Sequence, residues 1–174
     1  MITDFHELST LVVADSLPLK GVLFSVLRTL RVATVLTAGT GDEGFDLFCI
    51  HRPGLVIAEW KMKQTSGLDL TQKIRHNSLS PDRTVPVILT TEANAAMAQI
   101  IQARNAGVTG LVVMPVSTNE LIKRITHAMT DRREFIDFPT YVGSDRRRKP
   151  LPGYSGPPRR AADRQIKSAI EETV

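Results

Sequence analysis

Residues Gly54 to Leu70 read GLVIAEWKMKQTSGLDL. The apolar run Leu55 to Ala58 ends on an acid, Glu59, and a loop closed by Gly67 follows. A continuous apolar run bounded this way predicts a strand buried on both faces, with the acid at its carboxyl end. In an open parallel sheet, chemistry gathers beyond those ends. The stretch therefore predicts a fold and also the place where a site would lie.

The same unit recurs on either side. Leu8 to Ala14 is a mostly apolar run with β-branched residues, ended by Asp15, and predicts the first strand. Pro18 falls near the first turn of the next segment, where its missing N–H costs least. Leu19, Val22, Leu23, Val26, Leu27 and Leu30 then recur at helical spacing. Val32 to Thr37 predicts a second strand, Gly39 and Gly41 punctuate it, and a helix follows over Asp42–His51. Pro53 and Gly54 break that helix ahead of the third strand, Leu55 to Glu59. Leu68, Leu70 and Ile74 mark a third helix, and Asn77 to Arg83 reads as loop. Val85 to Thr91 predicts the fourth strand, and a helix over Ala93–Asn105 stops at Gly107. Gly110 to Met114 predicts the fifth strand, and a helix over Thr118–Asp131 carries Leu121, Ile122, Ile125 and Met129 on one face. Strand and helix alternate, and most strands are continuous apolar runs. This predicts an α/β fold, a doubly wound five-stranded parallel sheet with helices on both faces.

Length and composition agree with one domain plus an appendage. The chain has 174 residues, 42% of them apolar. No apolar run approaches the ~18 residues of a membrane span. The opening MITDFHELST has neither a basic nor an apolar segment of the kind a signal peptide needs. The lone cysteine, Cys49, has no disulfide or zinc partners and falls in the stripe Phe45, Phe48, Cys49, so it reads as core. These features predict a soluble, cytoplasmic protein with no membrane association.

The charge is unevenly spread. Residues 1–131 hold 12 Lys/Arg and 12 Asp/Glu, which cancel, and residues 132–174 hold 10 and 6, which leaves the whole net +4 there. The predicted division is a folded domain over 1–131 and a basic tail over 132–174. The tail stretch FIDFPTYVGSDRRRKPLPGYSGPPRR is rich in Pro and Gly and is expected to be extended or disordered. Phe135, Ile136, Phe138 and Tyr141 are nonetheless apolar enough to dock just after the fifth helix. The tail also repeats Tyr-x-Gly-x-x-Arg-Arg, at Tyr141–Arg147 and Tyr154–Arg160, and weak helical spacing predicts a short helix near 160–171.

The predicted strand ends bring together Asp15, Glu59, Thr91 beside Thr90, and Met114 followed by Pro115. Two acids and a hydroxyl on adjacent strand ends are the kind of oxygen set that holds magnesium. Each of them alone also serves as an ordinary helix cap.

In order and spacing, LVVADS, LVIAEWKMKQTSGLDL, VPVILTTEAN and AGVTGLVVMPVS resemble the receiver domain of bacterial two-component response regulators, the CheY-like chemotaxis type above all. The resemblance covers about residues 8–130. It implies the flavodoxin-like (βα)5 receiver fold. It also implies a mechanism: an acid pair after the first strand binds magnesium, and an aspartate after the third takes phosphate from a histidine kinase. A Thr or Ser after the fourth strand and a Lys after the fifth contact the phosphoryl oxygens.

Here Ala14 stands at the first acid of the pair, while Asp15 keeps the second. Glu59 stands at the phosphoacceptor, Thr91 keeps the hydroxyl, Met114 stands at the lysine, and Leu111 replaces an aromatic switch residue. Phosphoryl transfer depends on positioning and on neutralising charge. Ala14 weakens the metal site, Met114 removes a cation, and Glu59 is one methylene too long. A degenerate pseudo-receiver, not phosphorylated by the usual route, is therefore expected. Its only metal binding would be weak magnesium at Asp15 and Glu59, with no other cofactor and no enzymatic activity.

Two readings of Glu59 stand: its carboxylate reaches Thr91 and mimics the phosphorylated state, or it is a tolerated polar group. Trp60 is either a packing lid over the site or a partly exposed loop aromatic. Lys61 and Lys63 either substitute in part for the missing cation or are solvated.

The expected role is a protein–protein adaptor or scaffold in bacterial signalling. Its partner would be a histidine kinase, another receiver or a different regulator. The docking or homodimer face is expected on the fourth helix, fifth strand and fifth helix, through Val108, Leu111, Val113, Pro115 and Leu121 to His127. Two alternatives stand beside it. One is an effector that binds nucleic acid or a cyclic dinucleotide such as cyclic di-GMP through Arg146, Arg147, Arg148, Arg159 and Arg160. The other is an atypical phosphoacceptor at Glu59. The tail has no helix-turn-helix pattern, so sequence-specific DNA binding is not expected.

Overall fold

Five apolar runs make five parallel strands: β1 Ser9–Val13, β2 Thr34–Ala38, β3 Leu55–Glu59, β4 Val87–Glu92 and β5 Gly110–Met114. The computed structural model describes residues 5–93, 97–131, 135–138 and 141–144. The strand order is β2-β1-β3-β4-β5, with β3 beside β1 at the centre. The helices are α1 Leu17–Thr29, α2 Gly41–His51, α3 Gly67–His76, α4 Met97–Asn105 and α5 Thr118–Met129. This is the doubly wound sheet that the alternating pattern predicts. The boundaries move by a few residues: β4, for example, begins at Val87 and not at Val85.

Each face of the sheet has its own core. One gathers Phe45, Phe48, Trp60, Leu70 and Ile74 from the side of α2 and α3, together with Ala103 of α4. The other gathers Leu19, Leu23, Leu27, Leu121 and Ile125 from α1 and α5. Full burial of a side chain of this size stabilises the fold by roughly 1.5–3 kcal/mol, and these two clusters hold the strand ends in register. That register sets Glu59 opposite Thr90. It sets Thr91 opposite Val113 and Glu92 opposite Met114.

Helices α1, α2, α3 and α5 each start on a Ser or Thr cap, namely Ser16, Thr40, Ser66 and Ser117. Each cap hydroxyl accepts an amide from the first turn, which satisfies an otherwise orphan donor. Ser66 and Asp69 form a reciprocal capping box. Gly67 opens α3 where a Cβ would collide with the Glu59 carbonyl oxygen, so α3 can begin directly against the end of β3.

A second, two-stranded antiparallel sheet follows α5: β6 Phe135–Phe138 and β7 Tyr141–Ser144, with Ile136 opposite Gly143. The compact unit that contains the receiver runs to Ser144, 13 residues past the division that charge alone predicts at 131. Of the apolar residues singled out after the fifth helix, Phe135 lies over Arg75, and the closest contact of this sheet with the receiver is made by the backbone of Val142 and Gly143. Gly107 has φ of +81°, and a Cβ there would strike the Val142 carbonyl oxygen. A Cβ on Gly143 would lie 2.8 Å from Gly107 Cα.

Beneath this seat lies Arg75, with no solvent exposure. Its guanidinium donates to the carbonyls of Gly107 (3.1 Å), Arg83 (2.8 Å) and Val85 (2.8 Å). It also lies 5.4 Å from the centroid of the Phe135 ring. Burial lowers its pKa to about 10, and it remains charged at neutral pH. Residues from Asp145 onward lie outside the described residues, and with them the arginines at 146, 147, 148, 159 and 160, the second repeat copy and the predicted helix near 160–171.

Candidate functional site

The site is built at the carboxyl ends of β1, β3, β4 and β5. Glu59 closes β3 and is half-buried. Its longer side chain turns toward the β1–α1 loop, where Oε2 accepts the backbone amides of Asp15 and Ser16, each at 3.2 Å. These amides sit at the start of α1, where the helix dipole favours a negative group. Burial is the main cause that pushes the Glu59 carboxyl above its ordinary value; the amide of Ser16 opposes that shift and the Asp15 charge adds to it.

Asp15 lies beside Glu59, its carboxyl within hydrogen-bonding range of the Glu59 carboxyl. Its Oδ2 accepts the backbone amide of Lys63 at 3.0 Å. Ala14, at the other acid position, is fully buried. Thr91 is 8% exposed, and its hydroxyl makes no hydrogen bond among the described residues. Met114 closes β5, packs toward the α1–α5 core and lines the site.

The structure places three of the groups singled out in the sequence. The Glu59 carboxylate bonds to the β1–α1 loop, and it makes no hydrogen bond to Thr91 among the described residues. Trp60 is 7% exposed and lines the site, so it is a wall and not a loop aromatic. Lys61 lines the rim and is exposed, while Lys63 contributes its backbone amide.

Magnesium needs near-octahedral oxygen ligation and retains several waters. Among the described residues, no group of three His, Cys, Asp or Glu side chains converges. Two neighbouring carboxylates, Asp15 and Glu59, are the groups that would hold the weakly bound magnesium expected there, each also accepting a backbone amide.

The predicted docking face is only partly a surface. Val113 and Pro115 are exposed, whereas Val108 and Leu111 are half-buried against the core. Leu121 is fully buried against the α1 side and belongs to no surface, because the stripe it shares with Ile125 faces the sheet. The exposed apolar residues on that side come from α4 instead: Met97, Ile100 and Ile101. They are visible in the sequence as apolar positions at spacings that no other apolar stripe matches. Arg75 was also missed. Its signal is a cation one residue after Ile74, on the apolar face of α3.

Comparison with known proteins agrees with the geometry. Residues 10–126 match the response regulator receiver domain family. The transcriptional regulatory protein PdtaR of Mycobacterium tuberculosis is 31% identical over 124 residues, 71% of this chain. The chain spans 58% of that relative's length. A chemotaxis protein CheY homolog of Campylobacter jejuni is 30% identical over 116 residues, 66% of this chain and 87% of its own. Among solved structures, the chemotaxis protein CheY4 of Vibrio cholerae superposes with a TM-score of 0.62 at 20% identity, over 70% of this chain and 98% of that one. No helix among the described residues is long and apolar enough to cross a membrane.

Proposed function

The chain belongs to the response regulator receiver family, and from that premise we propose that it signals without a phosphoryl group, as a protein–protein adaptor. One observation carries the reading: the carboxylate at the phosphoacceptor position is already bonded to the amides of Asp15 and Ser16. A nucleophile held there is turned from the Thr91 side, and small misplacements of a nucleophile cost orders of magnitude in rate. The missing cation at Met114 and the lost acid at Ala14 act in the same direction, since phosphoryl transfer depends on charge neutralisation. The partner is a signalling protein, and the surface offered to it is the exposed apolar set Met97, Ile101 and Val113.

The test is capture of the partner from bacterial extract, with and without a small phosphodonor and magnesium. Capture is expected to be independent of the phosphodonor and lost in Ile101→Asp and Val113→Asp. Capture that rises with the phosphodonor would overturn the reading.

A further inference from the structure

The place where a receiver of this family would hold its phosphoryl group is here a cavity of about 330 Å³. That is the size of a small-molecule site. Leu19, Val22, Trp60 and Met114 supply apolar walls, and Glu59 and Thr91 supply polar groups. The Thr91 side chain is more than nine-tenths buried and lines the cavity, and it has no hydrogen-bond partner among the described residues. Its hydroxyl faces the cavity and is available to bond to an occupant there.

The sign of the charge selects the occupant. Two carboxylates line the cavity, Glu59 and Glu92, against one exposed cation, Lys61. Asp15 adds a third negative charge beside Glu59, and its carboxylate is bonded to an uncharged amide. Clefts lined by one sign of charge focus their field on a ligand of the opposite sign. Trp60 is also a surface that attracts cations through its indole ring, and Met114 supplies an adaptable apolar wall. For an anion the cavity offers only Lys61 at the rim and the start of α1, whose Asp15 and Ser16 amides are already taken by Glu59, and Met114 stands where a further cation would be needed.

We propose that this cavity binds a small organic cation, an ammonium or amidinium on an apolar body about the size of one ring. The cationic N–H groups donate to the Glu59 carboxylate and to the Thr91 hydroxyl oxygen. The body rests against Leu19, Val22, Trp60 and Met114. The inference rests on the reading that the site takes no phosphoryl group.

Trp60 is the chain's single tryptophan, so its fluorescence reports on the cavity in the full-length protein. The probes are benzylamine and benzamidine, with benzyl alcohol and benzoate as neutral and anionic matches, in a buffer free of amines. A saturable change is expected for the two cations, with affinity about tenfold weaker for benzyl alcohol and no response to benzoate. Glu59→Gln is expected to weaken benzylamine about tenfold, and Thr91→Val a few-fold. Met114→Lys, which restores a cation at the strand end, is expected to abolish amine binding; unfolding midpoints confirm that each variant folds.

No saturable response to either cation at millimolar concentration overturns the proposal. So does an equal response to benzyl alcohol, which would mean an apolar hole only, and so does benzylamine binding undiminished in Met114→Lys. A parallel sample with a small phosphodonor and magnesium keeps the two readings apart. A gain of one phosphoryl mass there sinks the adaptor reading, whereas silence in both arms sinks only the cation site.

Discussion

The two ends of the sheet have been treated in opposite ways. At the carboxyl ends of the strands, side chains are loosely committed: Glu59 holds two amides at 3.2 Å, and Thr91, beside an open cavity, has no hydrogen-bond partner among the described residues. At the amino ends, Arg75 makes three hydrogen bonds to carbonyls in full burial, and a two-stranded ribbon is seated on Gly107 without room for a methyl group. The family's chemistry belongs to the first end and this chain's additions belong to the second. Side chains that face a cleft are thus free to change, while order is added where backbone meets backbone.

The comparison predicts unequal responses to substitution, the largest at the amino ends. Arg75→Met removes the donors of three carbonyls and leaves those of Gly107 and Val85 without them in a buried setting. It should cost about 3 kcal/mol or more in urea unfolding. A loss under about 1 kcal/mol would mean that water replaces the guanidinium and that the two ends do not differ as described.

Next in size is Gly143→Val, which drives a side chain into Gly107 and the Tyr141 ring and should cost about 2 kcal/mol. Hydrogen exchange should rise at 106–109 and at 141–144 while α1 and α2 keep their protection. Unchanged exchange at 106–109 would break the claim that the ribbon is part of the receiver.

At the carboxyl ends, Thr91→Val should change stability by less than about 1 kcal/mol, because the lost hydroxyl has no partner to abandon. A loss as large as that from Gly143→Val would erase the contrast.

The smallest effect is a drift with pH at Glu59. Burial raises its folded-state pKa above 4.5, so the folded protein keeps a proton that the unfolded chain has released. Stability attributable to this group therefore falls as pH rises from 4.5 through the folded value and is flat above it. The advantage of Glu59→Gln over the wild type should grow across that window and then level off. Parallel stability–pH curves for the two proteins would show that Glu59 is not desolvated.

Much of the carboxyl end was legible in the sequence, because its residues are chemical types at strand ends. The pattern places Asp15, Glu59, Thr91 and Met114, and the structure brings all four to one end of the sheet. The direction in which Glu59 points was not legible, since backbone amides have no letter in a sequence. The amino end was harder. β6 and β7 are four residues each, and prolines and a cationic run surround them. Apolar spacing favoured docking after α5, but only packing shows why positions 107 and 143 are glycine. Leu121 misled for a related reason: a helix that flanks a docking face still turns its apolar stripe to the sheet.

The central claim is that the carboxyl end no longer accepts a phosphoryl group. Intact mass after incubation with a small phosphodonor and magnesium tests it most directly, with the wild type beside the triple variant Ala14→Asp, Glu59→Asp, Met114→Lys. The wild type should keep its mass and the triple variant should gain one phosphoryl group. A wild-type gain that disappears in Glu59→Gln would contradict the account.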